Sequence, residues 1–297
     1  MSKKIVCYGE VLWDILPTES VAGGAPMNVA IRSQSLGIQS SIISRVGIDE
    51  PGNRLIQFLE DKNVDVSLIQ QDTLLPTGEV LVTLDDKGSA TYDIVYPSAW
   101  DNIELTTNTI EAVKKADAFV FGSLVCRNEI SKQTLLSLLK EARYKVFDVN
   151  LRKPYYLFPL LEQLMFAADM IKLNDDELFE ISQALGCKES SIESCIRFIA
   201  AHTQTVNICV TLGSKGAILY TNNVMYKHEG YSITVADTIG AGDSFLAALL
   251  SKKLQSAFPE DSLAFACAIG AIVAGKKGAN PSISFEEINS MIKNIDR

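Results

Sequence analysis

Histidine is nearly absent from this chain. His202 and His228 are its two, and neither has a partner at metal-ligand spacing, which argues against histidine triads and zinc hydrolysis. Cysteine is present but unorganised. Cys7, Cys126, Cys187, Cys195, Cys209 and Cys267 are scattered without a CxxC pair, so neither structural zinc nor a disulfide framework is expected. Several lie in apolar runs, where cysteine behaves as a small hydrophobe. No apolar stretch reaches the length of a membrane span, so no membrane partner is expected. The opening MSKKIVCYGE passes from two lysines into a strand pattern, without the apolar core of a signal peptide, and the expected location is cytoplasmic. Basic residues are the minority: 27 Lys and Arg face 36 Asp and Glu, a net charge of −9. That balance weighs against a nucleic-acid partner, which asks for a basic stripe. A phosphorylated ligand stays open, because a few local donors can outweigh the global field.

What is present is ordinary globular material. The 297 residues are 47% hydrophobic and 21% charged, enough for one large α/β domain or two ordinary ones with a substantial core. KIVCYG (4–9) reads as a buried strand and VLWDIL (11–16) continues extended, with Asp14 among apolar neighbours. GGAP (23–26) punctuates, MNVAIRSQSLG (27–37) reads as a helix stopped by Gly37, SSIISRVG (40–47) as a strand and residues 49–63 as a helix. GEVLVTLDDKGSATYDIVY (78–96) is two alternating runs around DDKG, the pattern of a hairpin. From residue 117 the short apolar strands AFVFGS, KVFDVN, DMIKLN and NICVTLG alternate with helical pattern, which implies a mostly parallel sheet flanked by helices. Ligands of such folds gather at the carboxyl ends of strands, where the tips Gly122–Ser123, Asp148–Asn150–Arg152, Lys172–Asn174 and Thr211–Gly213 fall. The expected architecture is one α/β domain over 1–297, with a small antiparallel β lid from about 11–20 and 72–100.

The stretch DTIGAGDSF (237–245) carries the chemistry. Upstream, YSITVAD (231–237) alternates like a strand; downstream, Phe245, Leu246, Leu249 and Leu250 recur at helical spacing. Gly240, Ala241 and Gly242 therefore occupy a turn into a helix, with Asp243 in its first turn. Such a turn aims several backbone N–H groups at one point, at the positive end of a helix dipole, and binds an anion. A carboxylate beside an anion site makes sense when a hydroxyl lies between them. Asp243 would then orient that hydroxyl and take its proton as it attacks a phosphoryl group. A helix N-terminus is expected to lower the carboxyl's pKa, which implies late proton transfer. A tight turn with a helix-capping aspartate is the plainer alternative.

DTIGAGDSF matches the C-terminal signature DTxGAGDxF of the ribokinase-like, or pfkB, carbohydrate kinases at every specified position. GGAPMNVA (23–30) resembles that family's N-terminal pattern, NDDE (174–177) its NxxE motif, and TLGSKGA (211–217) its nucleotide strand and turn. Order, spacing and coverage agree over nearly the whole chain. The resemblance implies an ATP-dependent sugar kinase with Asp243 as catalytic base and Gly240, Ala241 and Gly242 as its anion hole. Asp14, Gly23, Gly24, Asn28 and Arg152 would face the sugar. Lys172, Asn174, Glu177, Thr211, Gly213, Ser214, Lys215 and Gly216 would serve the nucleotide, with Glu177 addressing Mg2+ through water. Asp237, with carbonyls near Ile239, Val273 and Gly278 and with Ser282, looks like the family's K+ site.

GEVLWDILP with GGAPMNVA is most similar to the fructokinase branch, and a pocket of Asp14 and Asn28 without a second cationic cluster suits a neutral hexose. The expected reaction is fructose to fructose 6-phosphate. 2-Keto-3-deoxygluconate, whose carboxylate would want Arg152, or another neutral sugar is the alternative within the family. A non-catalytic sugar- or nucleotide-binding regulator is the alternative from another class. The alternating Val80, Val82, Leu84 and Tyr92, Ile94, Tyr96 suggest an apolar lid face, hence a homodimer through the lid.

Overall fold

The computed structural model describes residues 2–84 and 90–293; the DDKG turn of the expected hairpin lies outside them. The first half carries β1 (Lys4–Tyr8), β2 (Leu12–Ile15), β3 (Ser20–Gly23), α1 (Ala25–Ser35), β4 (Gln39–Gly47) and α2 (Glu50–Asp61). β5 (Ile69–Asp72), β6 (Gly78–Leu84), β7 (Ala90–Ile94), α3 (Thr107–Lys115) and β8 (Ala118–Gly122) follow. The βα rhythm then continues through α4 (Glu129–Leu138), β9 (Lys145–Asp148), α5 (Phe158–Ala167), β10 (Met170–Asn174), α6 (Asp175–Ala184) and α7 (Ile192–Thr203). The chain closes with β11 (Asn207–Thr211), β12 (Ala217–Thr221), β13 (Val224–His228), α8 (Ala241–Leu254), α9 (Pro259–Ala274) and α10 (Phe285–Lys293).

Nine strands form one sheet in the order β13-β12-β11-β10-β9-β8-β1-β4-β5. The run from β11 to β5 is parallel, and β12 and β13 turn back antiparallel at one edge. Successive side chains on β1 leave opposite faces, as the period of two requires. Ile5 and Cys7 join the core formed with α1, α8 and α9, while Val6 and Tyr8 join the core under α4 to α7. Helix α8 has apolar side chains nearly all round because it packs against both α1 and α9; Phe245, Leu246, Leu249 and Leu250 are buried. Each such burial contributes roughly 1.5–3 kcal/mol.

A second sheet has the order β3-β2-β6-β7. Its β2–β3 and β6–β7 pairs are antiparallel, while β2 and β6 run parallel. Register puts Val80 opposite Ile94 and Val82 opposite Tyr92, one face of the hairpin. The chain itself covers much of that face: Val80, Val82 and Ile94 are buried in the same cluster as Leu12 and Trp100. Tyr92 stays 57% exposed and Tyr96 55%, so the apolar face left for a partner is smaller than the alternation implies.

One expected strand is absent. Residues 231–237 form no ladder; the amides of Ala236 and Asp237 both donate to the carbonyl of Ala274 at the end of α9. The alternation is there, but the segment crosses a helix end rather than lying along a strand edge, so its donors have no ladder to join.

Candidate active site

Strand register assembles the first part of the site. Lys172 on β10 lies opposite Asp148 on β9, and its Nζ donates to Asp148 Oδ1 at 3.0 Å. Both are buried. Burial alone would lower the lysine's pKa, but the carboxylates of Asp148, Glu177 and Asp243 outweigh it, so the net shift is upward and the ammonium stays charged. A Cβ on Gly242 would stand 3.3 Å from Lys172 Nζ, which puts this cation beside the first turn of α8.

That turn has the geometry of an anion hole. Gly240 caps α8 with φ 72°, a left-handed conformation that glycine adopts without strain, and no side chain caps the helix. A Cβ there would also strike Ala279 at 2.6–2.7 Å. Ala241, Gly242 and Asp243 are the first three helical residues, so their amides lack intrahelical acceptors, although the Ala241 amide donates to the Thr238 carbonyl at 3.3 Å. Asp243 is partly buried, and its Oδ2 accepts from Asn28 Nδ2 at 2.8 Å. Its pKa is pushed up to about 6, opposite to what the helix terminus suggests. Burial and the negative charge of Asp148 raise it, and together they outweigh Lys172, the Asn28 bond and Arg152, which lower it. A carboxyl titrating just below neutrality is a better general base than a depressed one.

The sugar-side residues surround the end of β1. Asp14 is partly buried, with its pKa raised to about 6 by burial against the pull of Arg152. A Cβ on Gly23 would lie 2.4 Å from Asp14 Oδ2, and one on Gly24 2.4 Å from the carbonyl of Glu10, so both glycines serve close packing. Asn28 Oδ1 accepts from Asn280 Nδ2 at 2.7 Å, which fixes its amide toward Asp243. Arg152 is exposed and donates to the neighbouring Leu151 carbonyl, and its charge is felt at Glu10, Asp14 and Asp243.

Asn174 and Glu177 form the helix cap that their spacing also allowed. Asn174 Oδ1 accepts from the Glu177 amide at 2.8 Å, and Glu177 Oε2 accepts from the Asn174 amide at 2.9 Å. Glu177 Oε1 accepts from the Leu151 amide at 2.8 Å, and burial raises this carboxyl's pKa against the lowering effect of Lys172. Thr211 ends β11 beside Asn174, and Gly213–Lys215 form a tight helical turn closed by Gly216. Ser214 and Lys215 are exposed there. Asp237 Oδ1 accepts from the Ile239 amide at 3.0 Å and Oδ2 from the Gly278 amide at 3.1 Å, so this carboxylate ties the two loops together. Val273 is buried at the end of α9, and the Ser282 carbonyl accepts from Lys276 Nζ at 2.9 Å.

Three residues here had no expected role in the site, although Asp148 stood among the strand tips. Glu10 is buried, its Oε2 has no hydrogen-bond partner, and burial pushes its pKa to about 7. Asp148 likewise keeps Oδ2 buried and unpartnered. Asn280 orients Asn28. The sequence signal for the first two was an acid at the end of an apolar strand; Asn280 had none. Among the described residues no group of three or more His, Cys, Asp or Glu forms a metal cage, and no helix is long and apolar enough to cross a membrane.

Known proteins resemble this chain over most of its length. Residues 2–285 match the profile of the pfkB family carbohydrate kinases. The Arabidopsis thaliana protein named Probable fructokinase-2 is 33% identical over 94% of this chain and 92% of its own. The crystal structure of a Vibrio cholerae fructokinase with fructose, ADP and calcium ion bound superposes with TM-score 0.83 at 26% identity, covering 98% of this chain and 99% of that one. Aminoimidazole riboside kinase from Salmonella enterica, complexed with aminoimidazole riboside and an ATP analog, gives TM-score 0.81 at 25% identity, with 98% and 100% coverage. An acid at the mouth of a glycine-capped helix, a lysine beside it and a match running nearly end to end lead to one conclusion: the chain belongs to the pfkB family of carbohydrate kinases.

Proposed function

We propose that this sugar kinase transfers the γ-phosphoryl group of ATP to the primary O6 hydroxyl of fructose. The observation that carries the reading is Asp243, a carboxyl with pKa about 6, held by Asn28 in the first turn of α8, where the charge of Lys172 acts on it. The sugar hydroxyl attacks the γ-phosphorus, the bond from phosphorus to the β-bridging oxygen breaks, ADP leaves with that oxygen, and the hydroxyl proton passes to Asp243. The amides of Gly240–Gly242 and the Lys172 ammonium stabilise the charge on the transferring group. Asp14 and Asn28 fit sugar hydroxyls, since a carboxylate accepts from two of them and an amide both donates and accepts. A neutral sugar is favoured over an acidic one, because the acids Glu10 and Asp14 stand at that end and the positive charge of Arg152 already acts on them. The fructose-bound Vibrio relative supports the choice.

The unpartnered Asp148 Oδ2 together with Glu177 fits a Mg2+ ion arriving with the triphosphate and held through water, which would neutralise phosphate charge. The adjacency of Asp237, Ile239, Gly278 and the end of α9 fits a K+ site. A rise in melting temperature with KCl that LiCl does not reproduce would support that site; equal effects of both salts would remove it. The remaining exposure of Tyr92 and Tyr96 supports a homodimer through the lid. Sedimentation at micromolar concentration decides it, a monomer counting against the proposal.

The deciding test is ADP release with ATP, Mg2+ and K+ across fructose, glucose, ribose, adenosine, 2-keto-3-deoxygluconate and fructose 6-phosphate. Preference in kcat/KM for fructose supports the reading. Preference for 2-keto-3-deoxygluconate would replace the substrate and bring Arg152 into the sugar site.

A further inference from the structure

Residues 278 to 281 hold four different parts of the site in succession. The Gly278 amide donates to Asp237, Ala279 packs on Gly240, Asn280 donates to Asn28, and the Pro281 carbonyl accepts from Arg32 Nη2 at 2.9 Å. Arg32 is the unusual member. It is buried within α1, and its Nε donates to Ser244 Oγ, itself fully buried, at 3.1 Å. Both bonds go to neutral acceptors. Burial lowers its pKa to about 10, so the guanidinium stays charged at neutral pH. Enclosing a cation with neutral acceptors is unfavourable, and an aliphatic side chain would fill the helix interface more simply.

Asn28 and Arg32 are one helical turn apart on α1. Asn28 bridges residue 280 to residue 243, and Arg32 bridges residue 281 to residue 244. The two rungs span the same three elements: α1, the first turn of α8, and the 278–281 segment. Packing against α1 and α9 holds the body of α8, and the two rungs fix its first turn, and with it the direction of the Asp243 carboxyl and the α8 amides. We propose that Arg32 is a positioning residue for Asp243, locking the first turn of α8 to the helix that follows the Gly23–Gly24 loop. This rests on the reading of Asp243 as base. Arg32 touches neither sugar nor nucleotide, so its effect falls on kcat, where a misplacement of about 1 Å can cost on the order of a hundredfold.

The experiment measures kcat, sugar KM and melting temperature of the full chain carrying Arg32→Met, Arg32→Lys, Ser244→Ala and the double variant Arg32→Met/Ser244→Ala. Expected for Arg32→Met is a kcat lower by about tenfold or more with sugar KM within about threefold, assayed well below its melting temperature. Arg32→Lys restores part of the loss, and the double variant is no worse than Arg32→Met alone, because both remove one rung. A kcat within twofold of the parent for Arg32→Met overturns the proposal, as does full additivity. Should Arg32→Met not fold, Ser244→Ala carries the test, with an unchanged kcat counting against it. Asp243→Asn in the same assay separates the two readings: retained turnover there removes the base assignment whatever Arg32 does.

Discussion

Asn28 Nδ2 lies 2.8 Å from Asp243 Oδ2 although 215 residues of chain separate them. The contact joins the helix after the Gly23–Gly24 loop to the helix that begins after Gly240, so one hydrogen bond reports on both halves of the candidate site. Asp243→Asn removes the proton acceptor and keeps the shape. Turnover should fall by about 10²–10⁴-fold while sugar binding, read by calorimetry, survives. Lost binding with preserved turnover would contradict the role.

The same bond sets a pH dependence. Asp243 must be ionised to accept a proton, so kcat/KM should rise with pH through a limb near its pKa of about 6. The Asn28 bond lowers that pKa, so Asn28→Ala should move the limb to higher pH. Glu10 and Asp14 titrate in the same region, so the limb belongs to the group rather than to one residue. Glu10, at about 7, is still mostly protonated where Asp243 titrates, so Glu10→Gln should leave the limb nearly in place. A limb that does not move in Asn28→Ala would remove that coupling.

Glu10 also gives a stability test. Its folded pKa, about 7, lies above the ordinary 4.5, so the native state holds its proton longer than the unfolded chain does. The burden is absent below pH 4, grows as pH rises past 4.5, and is complete above 7. Glu10→Gln should therefore raise the melting temperature at pH 8 and leave it nearly unchanged at pH 4.5. The upper bound is about 3 kcal/mol, or several degrees. An equal effect at both pH values would mean that the gain is not electrostatic.

Lys172→Met should hurt twice. It leaves the buried carboxylates of Asp148 and Glu177 without their cation, at about 3–5 kcal/mol of stability, and removes a charge beside Gly242. Thermal unfolding should show the first effect, and a loss of kcat with ATP the second. Normal turnover in a folded variant would exclude Lys172 from phosphoryl stabilisation.

Gly240→Ala tests the backbone of the anion hole. The substitution meets both a φ of 72° and the Ala279 backbone at 2.6–2.7 Å, so α8 must shift. If the α8 amides serve the phosphates as proposed, turnover should fall at least tenfold, with nucleotide KM rising. Wild-type kinetics would show that the turn is not the anion site.

The alternation of apolar strands with helical pattern determined the parallel sheet, because period-2 and period-3.6 burial are local properties of the chain. Lys172–Asn174 and Thr211–Gly213 were placed for a related reason: each ends or follows an apolar strand of the parallel run, and parallel strands deliver their ends to one edge. DTIGAGDSF placed its acid in a first helical turn before any coordinates, since turn glycines and the helical pattern after them are local too. Residues 231–237 misled, because alternation records which side faces solvent and not whether a strand edge is there to receive the amides. Only the tertiary structure decided what Asp243 is chemically. Its pKa rises through burial and Asp148 and is tempered by Lys172 and Asn28, all brought close by folding. Arg32, Asn280 and the covered face of the lid hairpin belong to the same category. Hydrogen bonds and charge interactions act over a few ångströms of space, and residues 28, 148, 172, 243 and 280 become neighbours only once the sheet has formed.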